Sequence, residues 1–175
     1  MQVADAHLRY YEDKTIVERL RQDIVGPARA RGVPQVWLVG ISLGGFGALG
    51  YAARHGDEIA GVLALAPYLG RRSVLQEIET AGGPVAWRRA NAPPEGDDLE
   101  REIWRWAAGA PAAPPVWLGF GRDDRFADAN RLFGSLLPPE RRFDTEGGHD
   151  WPPWRALWER WLDEGRLGRD CAAAA

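Results

Sequence analysis

Ser42 lies in Gly40-Ile41-Ser42-Leu43-Gly44, directly after a short apolar run. A serine hydroxyl is a poor nucleophile until a base removes its proton, and that base needs an orienting partner. The small residues Gly40 and Gly44 fit a sharp strand-to-helix turn, the G-x-S-x-G nucleophile elbow, which lifts the hydroxyl above the carboxyl edge of a parallel sheet. Of the three histidines, His149 is the one placed to serve as the base. It follows the last strand in Glu146-Gly147-Gly148-His149, a loop whose glycines let an imidazole reach over the sheet edge. His7 follows the first apolar run, and His55 closes a helix, where a favourable dipole interaction or simple exposure accounts for it. The orienting acid belongs on a loop between Ser42 and His149, and Gly121-Arg122-Asp123-Asp124 supplies two aspartates. Either could reach, although Asp123 could equally cap the turn or pair with Arg122 or Arg125. Asp150 is the sequence neighbour of His149, and adjacent side chains on an extended loop diverge, so it orients poorly. Serine, base and acid together imply acyl transfer, with the N–H of Leu43 as one oxyanion donor.

Such a constellation needs a sheet to hold it. Short apolar runs alternate with helix-period stretches, the signature of a mostly parallel α/β sheet with flanking helices. The strand candidates are Gln2–Ala6, Gln35–Val39, Gly61–Leu65, Val116–Phe120 and Arg142–Thr145. The spacing predicts helices over Thr15–Arg31, Leu43–His55, Ala127–Leu137 and Pro152–Asp163. Residues 70–115 break the rhythm. Two helix-like patches, Arg72–Thr80 and Asp98–Ala107, are separated by glycine and proline clusters, too much chain for a simple connection. This stretch reads as a small helical cap inserted over the carboxyl edge. Its Trp87, Trp104 and Trp106 suit packing onto the body better than lining a pocket. The whole reads as one domain over residues 1–175, with a flexible tail at 168–175.

Composition sets the outer limits. The 175 residues are 45% hydrophobic and 27% charged, with a net charge of −3. That is a globular balance, and with no basic block it argues against nucleic acid or an anionic membrane as partner. Lys14 is the only lysine among 22 basic residues, a bias that hints at GC-rich bacterial coding. The single cysteine, Cys171, permits no internal disulfide and no CxxC metal or redox site. The start shows neither a signal peptide nor a membrane span, which makes a soluble cytoplasmic protein the expectation.

Three stretches together resemble the bacterial α/β-hydrolase-fold serine esterases and thioesterases: VWLVGISLGGFGA, LGFGRDDRFA and EGGHDWPPWRALW. They cover the chain from about residue 36 onward, in the order Ser, Asp, His that the family uses. The last stretch is also similar to the esterases related to mycolyltransferases. The resemblance implies the roles of nucleophile, acid and base for Ser42, Asp124 and His149. It selects Asp124 over Asp123, because the family's acid ends a strand–G-x-x-D pattern. It implies no metal or cofactor, and a small-molecule acyl substrate. Against the family pattern, no His-Gly-Gly-type motif precedes the elbow to supply a second oxyanion N–H. Gln2–Ala6 resembles the family's fourth strand, so its first three are expected to be absent. A missing third strand would leave a slot inside the sheet, an exposed run of unpaired backbone. A fragment, Gln2–Ala6 filling the slot, or a second copy in a homo-oligomer would each answer it.

The expected activity is hydrolysis of a carboxylic ester or thioester through an acyl-enzyme on Ser42. Tyr68 and Trp151 are the substrate-binding candidates, with Tyr10 and Tyr11 behind them. The rival reading is a non-catalytic binding protein on the same fold, lacking the second oxyanion donor. An oxidoreductase is disfavoured, because the glycines of GISLGGFG do not give a dinucleotide-binding G-x-G-x-x-G from Gly40.

Overall fold

The computed structural model describes residues 1–94, 96–109 and 114–165. Four parallel strands form its sheet: β1 (Trp37–Ile41), β2 (Gly61–Leu65), β3 (Val116–Gly121) and β4 (Arg142–Thr145), in the order β1-β2-β3-β4. Trp37 registers with Gly61, Leu63 with Trp117, and Gly119 with Phe143. Strands laid down in one direction with right-handed crossovers send every connecting helix to the same face. That face carries α4 (Leu43–His55), α7 (Leu99–Ala107) and α8 (Ala127–Gly134). Leu49, Trp104 and Phe133 from these helices meet Val62, Ala64 and Leu118 from the strands in the main core. The other face takes α9 (Trp151–Asp163), whose Leu157 and Trp161 pack on Leu63, Leu65 and Trp117. Alternate strand residues thus serve alternate cores, as a period of two requires.

Two expectations about the N-terminal third do not hold. Gln2–Ala6 is not a strand: it is irregular and exposed, and it leads into α1 (Leu8–Glu12). With Asp5 in the run and no neighbouring strand to pair with, it has neither the pattern nor the partner of a strand. It therefore fills no slot, and no interior slot forms among the described residues. There β1 is an edge of the sheet, with Val39 44% exposed. β1 itself starts two residues later than expected. Thr15–Arg31 is not one regular helix either. α2 (Ile16–Leu20) passes through a π turn, Arg21–Val25, into α3 (Gly26–Ala30). Pro27 has no N–H to donate, and its ring crowds the carbonyl one turn back; a wider turn before it relieves both faults. Gly26 is part of that accommodation, since a Cβ there would stand 2.8 Å from the Arg21 carbonyl oxygen.

The helices α5 (Arg72–Thr80) and α7 lie where the periodicity places them, with α6 (Pro84–Ala90) between. Trp87 and Trp104 are buried in the main core, and Trp106 packs partly buried against it. Trp104 is fully enclosed. Its indole N–H donates to the Leu69 carbonyl at 2.7 Å, and its ring meets Phe133 edge-on at 5.3 Å. α8 stops at Gly134, three residues short of the expected Leu137, and α9 starts at Trp151, one residue early. The tail at 168–175 and Cys171 lie outside the described residues.

Because Trp104 ties α7 to the Leu69 carbonyl after β2 and to Phe133 of α8, its loss should loosen that layer. Trp104→Ala is expected to cost about 3–5 kcal/mol, the usual range for emptying a buried aromatic site. Urea unfolding measures it; a change under about 1 kcal/mol would mean that α7 is not held by this side chain.

Candidate active site

The serine loop is built by a close approach of β1 and α4. A Cβ on Gly40 would stand 2.2 Å from the Gly44 carbonyl oxygen, and one on Gly45 would stand 2.9 Å from the Pro67 Cβ. Backbone cannot retreat as a side chain can, so Gly40 has no substitute. At Gly44 a Cβ would meet open space. The steric demand expected of Gly40 and Gly44 therefore falls on Gly40 and Gly45. Between them Ser42 adopts φ 52° and ψ −116°, a region that L-residues rarely occupy and that costs on the order of 1–3 kcal/mol. Two neighbours hold it there. Its N–H donates to the Leu65 carbonyl at 2.9 Å, and its carbonyl accepts from the Tyr68 N–H at 3.0 Å.

Ser42 occupies the N-cap position of α4, where a serine side chain ordinarily accepts from a helix N–H. It makes no such bond. Its hydroxyl lies instead 2.9 Å from His149 Nε2. The opposite ring nitrogen, Nδ1, stands 2.8 Å from Asp124 Oδ2. The Asp124 side chain is fully buried, and its second oxygen accepts from the Phe126 N–H at 2.8 Å. Asp123 and Asp150 are exposed, and neither pairs with His149 among the described contacts.

The histidine loop is fastened to the acid loop by backbone. The Asp123 N–H donates to the Gly147 carbonyl at 3.1 Å, and the Arg122 N–H to the Thr145 carbonyl at 2.9 Å. Gly121 makes this possible: a Cβ there would stand 2.2 Å from the Gly147 oxygen and 2.8 Å from the Gly148 oxygen. Gly147 itself has φ 106°, which glycine adopts without strain. Leu43 opens α4, so its N–H belongs to the first turn, which has no intrahelical acceptor.

Of the aromatic candidates, Tyr68 is tied to the site through its backbone N–H, which donates to the Ser42 carbonyl. Tyr68 stands between Phe46, at 5.5 Å, and Phe126, at 5.9 Å. Its hydroxyl donates to Glu100 Oε1 at 3.0 Å, while Glu100 Oε2 accepts from Arg71 Nε at 3.0 Å. Burial, reinforced by the hydrogen bond to Glu100, pushes the Tyr68 phenol up to about 12. Trp151 is 64% exposed and meets Trp154 edge-on at 6.3 Å. Tyr10 and Tyr11 pack from α1: Tyr10 lies under the Arg19 guanidinium at 5.2 Å, and Tyr11 lies 6.5 Å from Phe46. Phe126, Trp154 and Glu100 carry no motif of their own. The one sequence signal is proximity, Phe126 two residues after Asp124 and Trp154 five after His149. Among the described residues no group of three or more His, Cys, Asp or Glu could hold a metal, and no helix is long and apolar enough to cross a membrane.

Residues 7–160 match the family model described as "Putative esterase". A curated acetyl esterase from Caldicellulosiruptor saccharolyticus is 27% identical, over 69% of this chain and 50% of its own length. The chain thus spans half the length of that relative. Among solved structures, the monoacylglycerol lipase of Paleococcus ferrophilus superposes with a TM-score of 0.54 at 22% identity, covering 85% of this chain and 74% of the lipase. An α/β hydrolase from the sediment metagenome of the lagoon of Mar Chica, Morocco, gives 0.53 at 18% identity, covering 86% and 71%. At such identities the likeness speaks to the fold, which is that of an α/β-hydrolase.

Two measurements test how the site is held. Gly121→Ala should cost about 1–3 kcal/mol in urea unfolding, because the added methyl meets backbone on the histidine loop; an unchanged midpoint would show that the loop is not fixed there. In a difference-absorbance titration the Tyr68 phenol should ionise near 12, and Glu100→Gln should lower that value without returning it to 10, since burial is the larger cause. The neutral phenol is the favoured folded form. Its contribution to stability is therefore present below about 10 and lost as pH rises toward 12.

Proposed function

Because the chain belongs to this esterase family, we propose that it is a serine hydrolase cleaving a carboxylic ester or thioester through an acyl-enzyme on Ser42. The observation that carries the reading is the unbroken line Asp124–His149–Ser42, at 2.8 and 2.9 Å. In this reading His149 Nε2 takes the Ser42 proton as the oxygen attacks the acyl carbon, and the proton then passes to the departing alkoxide or thiolate. Asp124 fixes the tautomer with Nδ1–H and stabilises the imidazolium cation. The Leu43 N–H, at the start of α4, receives the developing oxyanion. Water, deprotonated by His149, then releases the acid and restores Ser42. No step calls for a metal or cofactor.

Tyr68 and Trp151 are the candidates for substrate contact, Tyr68 beside Phe126 and Trp151 beside Trp154, the two rings that stand against His149. Tyr68 would present its ring, since its hydroxyl is turned to Glu100, which makes that wall apolar. The exposed Trp151 would offer a platform for the leaving group. Glu100, from α7 in the insertion, accepts from the Tyr68 hydroxyl, and through that bond the insertion would bear on specificity.

The deciding assay is hydrolysis of p-nitrophenyl acetate and butyrate. Ser42→Ala should abolish turnover, a loss of at least about a thousandfold, and Asp124→Asn should lower kcat by about 10⁴ with the fold intact. A serine-directed fluorophosphonate should label the unaltered protein and not the Ser42→Ala variant. Turnover that survives in the alanine variant would refute the mechanism; no Ser42-dependent turnover or labelling would leave the fold as a binding scaffold.

A further inference from the structure

His149 is gripped by more than its two polar partners. The Phe126 ring stands against the imidazole at 5.0 Å and 86°, and the Trp154 ring at 4.9 Å and 83°. Both contacts are edge-to-face, a geometry that aromatic rings favour. The two rings come from different parts of the chain: Phe126 from the N-cap of α8, Trp154 from the first turn of α9. Phe126 is itself held, by Tyr68 at 5.9 Å and by the Arg125 guanidinium over its ring at 4.9 Å. Trp154 is braced by Trp151 at 6.3 Å.

A physical need answers this arrangement. The second torsion of a histidine side chain is broad, with no sharp staggered wells. The hydrogen bond from Nδ1 to Asp124 fixes one edge of the ring but lets the plane swing about that contact. If it swings, Nε2 leaves the line to Ser42 Oγ. We propose that Phe126 and Trp154 are positioning residues that clamp the His149 ring plane, so that the imidazole stands ready before substrate arrives. The inference rests on the serine hydrolase reading for its kinetic consequence only; the clamp itself is a matter of ring geometry. Phe126 has a double part, since its N–H also holds Asp124 Oδ1 at 2.8 Å. One residue thus sets the acid through its backbone and the base through its ring.

The test compares Trp154→Leu, Phe126→Leu and Trp154→Phe. With p-nitrophenyl acetate, chosen because its acyl group is small, each leucine variant should lose about 10- to 100-fold in kcat with KM within about twofold, the signature of a misplaced catalytic group. Trp154→Phe keeps an aromatic ring and should retain kcat within about threefold. A second readout needs no turnover. The Nδ1–H shared with Asp124 should give a strongly downfield proton resonance in the unaltered protein. That signal should be lost in the leucine variants and kept in Trp154→Phe. Leucine variants with unchanged kcat and an unchanged resonance would overturn the clamp. So would kcat and KM moving together over an unchanged resonance, which would make the rings pocket walls only. Should a leucine variant lose its thermal unfolding transition, Trp154→Phe decides: a resonance lost there overturns the proposal, and one retained with full kcat supports it. If the unaltered protein shows no Ser42-dependent turnover, the hydrolase reading fails while the resonance still judges the clamp.

Discussion

The site depends on one steric fact: β1 and α4 meet with backbone against backbone where Gly40 approaches the Gly44 carbonyl, so that no side chain fits on Gly40. That contact forces the chain to reverse within a single residue, and Ser42 takes the strain. Strain alone would relax. It persists because the Ser42 N–H and C=O are both committed, to Leu65 and to Tyr68, so the elbow is fastened to β2 and to the loop after it. The same reversal withdraws the hydroxyl from its ordinary capping role. An unmade N-cap costs a helix about 1 kcal/mol, and here that loss frees an oxygen for His149.

Much of the surrounding frame is legible in the order of residues alone. The bounds of β2, β4, α4 and α5 fall where apolar runs and glycine or proline punctuation place them, because buried parallel strands and their crossover helices leave strong local patterns. Gln2–Ala6 misleads because five residues of mixed polarity say nothing without a partner strand; a strand is defined by its ladder. The π turn before Pro27 is illegible for a different reason. Periodicity reports which side is apolar, and Ile16, Val17 and Val25 stay buried through the wider turn, so the pattern survives while the hydrogen bonding changes. α6 escapes notice because seven residues among glycines and prolines are too short to show a period.

At the candidate site, the residue types proposed to do chemistry announce themselves, whereas those that hold them do not. By residue type Asp123 and Asp124 are equivalent, and only the G-x-x-D pattern of the resemblance favours Asp124; in the fold one is exposed and the other fully buried with both oxygens bonded. The physical difference between them is burial, and burial is a property of the packed chain. The steric role shifts from Gly44 to Gly45 for the same reason, since Pro67 approaches from a loop about twenty residues away. Phe126, Trp154 and Glu100 belong to three segments that meet only once the sheet has formed.

The topology also sets the electrostatics. In a parallel sheet each helix that follows a strand starts at the carboxyl edge, so the positive helix ends gather there. Ser42 caps α4, Asp124 lies just before α8 begins at Ala127, and His149 lies just before α9 begins at Trp151. Three helix N-termini therefore face one small volume. For an oxyanion at Leu43 this is favourable, by about 0.3–1 kcal/mol for each helix end. The same edge holds Asp124, its side chain fully buried and 2.8 Å from His149 Nδ1. The parallel topology that gathers helix N-termini at this edge thus also delivers the loops after β1, β3 and β4 to one place, which is why a serine, an acid and a histidine so far apart in the chain stand in one line.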